Sequence, residues 1–161
     1  MVQLVKALNI SIFILFFCFY AYQFVYVLVR FFKKMPHYEA KKLHRYAVLI
    51  AARNESAVIG ELLESIKAQN YPRELVDVYV VADNCTDNTA EIARSHGATV
   101  IERSNVCRIG KGYALNYAFR HIKNTCGIEH YDGYIVFDAD NILHPDFIKE
   151  INAVFDQGYR V

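Results

Sequence analysis

Asp138 and Asp140 stand one residue apart at the end of a short apolar run, Tyr134 to Phe137. Two carboxylates at that spacing, on a turn leaving a strand, can hold a hard divalent cation such as Mg2+ or Mn2+. Such cations prefer oxygen ligands and keep positions open for substrate oxygens. A diphosphate presents oxygens of that kind. One carboxylate can then serve the metal and the other a sugar-nucleotide or its ribose. The same residue types also build helix caps and turns, so the pair decides nothing by itself. Asp83 follows another apolar run and precedes a polar turn. Its carboxylate can accept a hydrogen bond from a base N–H, such as N3–H of uracil, or it can simply shape the turn. Lys111 lies between Gly110 and Gly112. The glycines let the backbone come close, and the ammonium can meet a phosphate. A surface Lys beside Gly is common, however, and the segment is no Walker loop. Asp87 and Thr89 read as caps of the helix that follows. His96, His121, His130 and His144 have no metal-ligand spacing and read as surface or packing residues. Cys18, Cys85, Cys107 and Cys126 show neither C-x-x-C spacing nor a zinc pattern, and read as reduced thiols.

Such groups need elements to hold them. Tyr46–Ala52 is a continuous apolar run, as expected for a strand buried on both faces. Residues 56–69 place Val58, Ile59, Leu62, Leu63 and Ile66 at helical spacing, with Asn54 as the expected cap. Val76–Ala82 reads as a second strand, 87–95 as a helix stopped by Gly97, and Ala98–Glu102 as a third strand. A helix over 110–124 carries Ala114, Leu115, Ala118, Phe119 and Ile122 on one side. Tyr134–Asp138 is the fourth strand. Pro145 then suits the first turn of a helix with Phe147, Ile148, Ile151, Val154 and Phe155 as its apolar face. Tyr159-Arg160-Val161 reads as the opening of another strand. Alternating strands and helices argue for an α/β fold with a Rossmann-like, doubly wound, mostly parallel sheet. Ligands of such sheets sit at the carboxyl ends of the strands. The polar groups named above all follow strands.

Before this domain, the 23 residues from Ala7 to Val29 carry no charge. As a helix they would span roughly 34 Å, enough for a ~30 Å hydrocarbon core. Tyr20, Tyr22 and Tyr26 lie toward the end where an interfacial aromatic belt would sit. A cleaved signal peptide would have a shorter apolar run and a small-x-small site after it. Arg30, Lys33, Lys34, Lys41, Lys42 and Arg45 follow the span, and only Lys6 and the terminal amine precede it. The excess of cations places the following domain in the cytosol, and the same cluster suits anionic lipid headgroups. The expected organisation is a transmembrane anchor over 1–32, a basic linker over 33–45 and, over 46–161, the α/β domain, which the resemblance described next implies is nucleotide-sugar-binding. A formal net charge of +1 gives no basic field for nucleic acid.

The ordered segments AVLIAARNE, VYVVADNCTDNTAEIA, GKGYALNYA and YIVFDAD resemble those of family-2 inverting glycosyltransferases of the GT-A fold. More narrowly the chain looks like the membrane-bound bacterial branch that makes cellulose, chitin, hyaluronan and poly-N-acetylglucosamine. The resemblance covers about residues 45–155. It implies that Ala51, Arg53 and Glu55 line the nucleotide pocket and that Asp83 contacts the base. It further implies that Lys111 lies near the diphosphate, and that Asp138 and Asp140 hold the metal, Asp140 directly. Cys85 stands where the family usually has Ser or Gly.

The implied reaction is metal-dependent, inverting transfer from a nucleotide-diphospho-sugar, expected to be a UDP-sugar, to a glycan or lipid acceptor at the plasma membrane, as in polysaccharide biosynthesis. The resemblance puts the acceptor half and the catalytic base beyond Val161, so no residue here is assigned as that base. Two other readings are a nucleotidyltransferase-like enzyme, which would show a Gly-rich basic first loop where this chain has ARNE, and a non-catalytic membrane-tethered binding module.

Overall fold

A computed structural model describes residues 2–33 and 37–159. The chain divides into two units, with the boundary between His37 and Tyr38. The first unit is helix α1, Val2–Phe32, of 31 residues. None of its residues is buried, and its length and composition suit a membrane crossing.

The second unit alternates strand and helix: β1 Tyr46–Ala52, α2 Ile59–Lys67, β2 Val76–Asp83, α3 Thr89–Ser95, β3 Thr99–Arg103, α4 Lys111–Thr125, β4 Gly133–Asp138 and α5 Phe147–Phe155. All strand pairs are parallel, in the order β3-β2-β1-β4. β1 is central, and its side chains alternate between two cores. Val48, Ile50 and Ala52 join Ile59, Leu62, Leu63 and Ile66 of α2 and Ala93 of α3. Ala47 and Leu49 join Ala114, Ala118 and Ile122 of α4 on the opposite face. A strand covered on both faces has no position for a polar residue, which explains its uninterrupted apolar sequence. Burying a residue such as Leu49 or Ile50 contributes about 2 kcal/mol.

The segment before β1 is bound to the domain. Asp156 accepts the Lys41 amide at 2.7 Å, Asn152 donates to the Lys42 carbonyl at 2.9 Å, and Asp132 accepts the Arg45 amide at 2.9 Å. His44 Nε2 lies 3.0 Å from Asp156 Oδ1.

Several local expectations shift. α2 begins at Ile59, after turns, and Val58 occupies its N-cap position without a side-chain bond. Asn54 is no cap: it takes a left-handed φ of 58° and accepts the Thr86 amide at 2.8 Å. Its short polar side chain makes both possible. Pro145 precedes α5 in a turn, and its carbonyl accepts the Asn70 amide. On α5, Ile148, Asn152 and Ala153 are buried, whereas Ile151 and Val154 are 39% and 40% exposed. The helix is apolar over more of its circumference than its contacts cover, so periodicity selected too wide a face. Of the expected final strand, Tyr159 is outside any regular element and Arg160 and Val161 lie outside the described residues. No cysteine is in a disulfide among the described residues.

Candidate functional site at the strand ends

The pairing register sets the site. Ala51 is level with Asp138, Ala52 with Ala82, and Asp83 with Arg103. Parallel strands all end on one edge, so every strand-to-helix loop starts there. The strand order reverses between β1 and β4, which is where doubly wound sheets open a crevice. A cleft of about 210 Å³ lies there, lined by Ala51, Ala52, Arg53, Glu55, Asp83, Ile109, Gly110, Lys111, Ala114 and Asp138. Residues from four separate segments, which the sequence marked as nucleotide-binding, thus share one hollow. Asp140 does not line it; it is exposed on the turn that follows β4. That turn is closed by the Asn141 amide on the Asp138 carbonyl at 3.2 Å and by Asn141 Oδ1 accepting the Asp138 amide at 3.1 Å.

Two ion pairs in the site have different physical weights. Lys111 donates to Asp138 Oδ1 with both side chains well exposed. Such a pair contributes at most about 1 kcal/mol, so an entering phosphate or cation can replace either partner. Asp83 is only 4% exposed, and its Oδ1 accepts from the Arg103 guanidinium and from Asn84 Nδ2 at 3.0 Å. Arg103 also donates to the Arg108 carbonyl. This pair is fixed, because separating two buried charges costs far more than exposed ones. Both of these bonds fall on Oδ1, and no donor among the described residues reaches Asp83 Oδ2.

The first two loops are laced together. Asp87 Oδ1 accepts the Thr89 amide at 3.1 Å and the Thr89 hydroxyl at 2.6 Å, and its Oδ2 accepts the Ser56 amide at 3.2 Å. Thr89 in turn accepts the Glu55 amide at 2.9 Å. The Thr89 hydroxyl above all, then the bonds to Ser56 and to the Thr89 amide, hold the Asp87 carboxyl down at about 2. Asp87 thus ties the start of α3 to the loop after β1, a second duty that local sequence does not announce. Local sequence places Asn84 and Ile109 only in the loops that follow strands, with no role of their own, and gives no sign of Arg103. Arg103 ends a strand facing an acidic strand end, but that juxtaposition exists only once β2 and β3 are paired.

Asp138 and Asp140 are two oxygen-donor side chains near one turn, and no cluster of three or more His, Cys, Asp or Glu suited to a metal occurs among the described residues. Two carboxylates fit a hard cation whose other ligands are diphosphate oxygens and water.

The sequence model of the family described as glycosyltransferase like family 2 matches residues 44–161. The chain belongs to this family. A 4,4'-diaponeurosporenoate glycosyltransferase of Staphylococcus aureus is 42% identical over 80 residues, which are 49% of this chain and 20% of that protein. Among solved structures, a mannosyltransferase from Pyrobaculum calidifontis in complex with GDP-Man and Mn2+ aligns at a TM-score of 0.59 and 26% identity. That alignment covers 82% of this chain and 39% of that one. A glucosyl-3-phosphoglycerate synthase of Mycobacterium tuberculosis gives a TM-score of 0.51 and 30% identity, covering 71% of this chain and 41% of that one. The chain thus matches about a fifth of the curated relative's length and about two fifths of each solved structure. These neighbours share the Rossmann-like GT-A fold, and the four-stranded parallel sheet with its flanking helices agrees with it.

Proposed function

We propose that this glycosyltransferase family 2 domain binds the sugar donor, a nucleotide-diphospho-sugar carrying uridine, for metal-dependent, inverting transfer to a glycan or lipid acceptor. The observation that carries the reading is that a cleft at the strand ends brings together Ala51, Arg53, Glu55, Asp83, Lys111 and Asp138. The mannosyltransferase solved with GDP-Man and Mn2+ supports a nucleotide-diphospho-sugar as donor and a divalent cation, and the choice of uridine rests on Asp83 as acceptor for a base N–H. Asp83 Oδ2 accepts an imino N–H of the base, and Arg103 holds that carboxylate in place. The Lys111 ammonium leaves Asp138 and meets the diphosphate, where it stabilises the charge of the departing nucleoside diphosphate. Asp138 and Asp140 hold Mg2+ or Mn2+, Asp140 directly. Such a cation neutralises leaving-group charge when bound. No residue of this cleft is assigned as the base that takes the acceptor proton. The cleft is smaller than the ~300–1,000 Å³ usual for ligand pockets, so it seats only part of such a donor. The membrane-bound branch, a cytosolic face for the domain and a role in polysaccharide synthesis belong to the same proposal, resting on α1 and the cations that follow it.

Calorimetry with UDP, with and without Mn2+, tests the reading. Asp140→Ala should weaken Mn2+-supported UDP binding by about tenfold or more, the loss of one charge-assisted contact. Unchanged affinity would overturn the metal assignment, and a wild-type chain that binds no UDP would overturn the donor.

A further inference from the structure

Asn84 takes a left-handed φ of 54° at the corner after β2. Its backbone amide donates to the Arg103 carbonyl at 2.7 Å. Its side chain makes two further bonds in opposite directions. Nδ2 donates to Asp83 Oδ1 at 3.0 Å, and Oδ1 accepts the Asn105 amide at 2.8 Å. Asn105 passes the connection on: its own Oδ1 accepts the amides of Cys107 at 3.0 Å and Arg108 at 2.8 Å. The Arg108 carbonyl then accepts from Arg103, whose other nitrogen holds Asp83. The circuit Asp83–Asn84–Asn105–Arg108–Arg103 therefore closes on itself. It grips the loop over residues 104–110 that brings Ile109 and Gly110 to the cleft wall and leads into Lys111.

We propose that Asn84, acting with Asn105 through this circuit, is a positioning residue that sets nucleobase selectivity; the proposal rests on Asp83 meeting the base of a nucleotide donor. A carboxylate separates uracil from cytosine only if it cannot turn away. Uracil offers N3–H to it, whereas cytosine offers a lone pair at the same place. A pinned acceptor rejects the wrong base because the mismatch leaves buried groups unpaired or repelling. With Oδ1 held by Arg103 and Asn84, Asp83 has one orientation and presents Oδ2. The same circuit fixes how closely the 104–110 loop approaches. Removing the Asn84 side chain takes one of two partners from Asp83 Oδ1, leaving the carboxylate able to pivot about Arg103, and takes the Asn105 anchor from the loop, whereas the packed cores under the sheet contain none of these groups.

Asn84→Gly is the informative variant, because glycine adopts a φ of 54° without strain and lacks both side-chain bonds. Titrations of the full chain with UDP and with CDP, each with Mn2+, give the two dissociation constants. A thermal melt reports the fold. The expected result is about tenfold weaker UDP binding with little change for CDP, and a midpoint within a few degrees of wild type. Asn84→Asp keeps an acceptor for the Asn105 amide but sets a second carboxylate beside Asp83. It should retain amide-exchange protection at Asn105, Cys107 and Arg108 and still lose the UDP preference. A UDP-to-CDP ratio in Asn84→Gly within twofold of wild type would overturn the proposal. If wild type binds no UDP, the donor reading itself fails, and exchange decides the circuit separately: undiminished protection of those three amides in Asn84→Gly would overturn it.

Discussion

Arg103 and Asp87 both work at a distance along the chain, and each carries a measurable consequence. The Arg103 side chain is 8% exposed against the buried Asp83. Arg103→Met strands that carboxylate without its counter-charge, and urea unfolding should show a loss of about 3 kcal/mol. Adding Asp83→Asn to it should restore part of the loss, because the uncompensated charge is then gone. Asp87 gives a pH signature. Its carboxyl lies at about 2, below the ordinary 3.8, because the Thr89 hydroxyl and then the Ser56 and Thr89 amides bind the ionised form. A depressed carboxyl contributes stability above its unfolded value, and that contribution disappears as pH falls through the folded one. The melting-temperature gap between wild type and Asp87→Asn should therefore be full near pH 6 and close between about pH 4 and pH 2. A gap that widens on acidification would contradict this. At this scale the sequence disclosed the types of Asp83, Lys111, Asp138 and Asp140, but not their partners. Arg103 carries no local signal, because its charge has meaning only beside Asp83.

At the scale of elements, the strands were the most legible parts. β1 matches its expected limits, and the other three begin or end within one residue of theirs. Continuous apolar runs bounded by polar turns leave little freedom when both faces are covered. Helix starts were less legible. α2 and α3 begin later than their polar leaders suggest, because Asn54 bonds to the loop after β2 rather than to its own helix, and Asp87 divides its bonds between Thr89 at the start of α3 and Ser56 in the loop after β1. α5 hides a polar anchor within its apolar stripe. Asn152 is 1% exposed, and its Oδ1 accepts from the Tyr46 and Tyr71 hydroxyls at 3.1 and 2.9 Å and from the His44 amide at 3.1 Å. Asn152→Ala strands the Tyr46 hydroxyl, takes one of two partners from the Tyr71 hydroxyl and from the His44 amide, and removes the bond to the Lys42 carbonyl, which loosens the segment before β1. Denaturant melts should register about 2–3 kcal/mol of destabilisation, and amide exchange at His44 should accelerate. A loss below about 0.5 kcal/mol would show that water replaces Asn152 freely.

At the scale of the whole molecule, α1 and the α/β domain are separate units. α1 exposes apolar side chains along its whole length, including Phe13, Phe16, Phe24 and Phe31. A surface of that extent is costly in water. The full chain is accordingly expected to stay with the membrane fraction after alkaline carbonate extraction. A reporter fused after Val161 should be active on the cytosolic side, because the cations lie mainly after the span. External accessibility of that reporter would reverse the orientation.

The sequence by itself determined the apolar span, the alternation of strand and helix, and the order of four polar segments along the chain. Those follow from local periodicity and from which residues tolerate water. It also determined which residue types could meet a base, a phosphate and a cation. Tertiary structure alone decided that these segments share one cleft, since only parallel register puts Ala51 beside Asp138 and Asp83 beside Arg103. It likewise decided that Asp140 stands outside the cleft lining, and that Asn84 closes a circuit through Asn105 and Arg108. Hydrogen bonds and ion pairs between residues some 20 to 30 positions apart depend on distances that no local pattern encodes, and the folded sheet is what sets them.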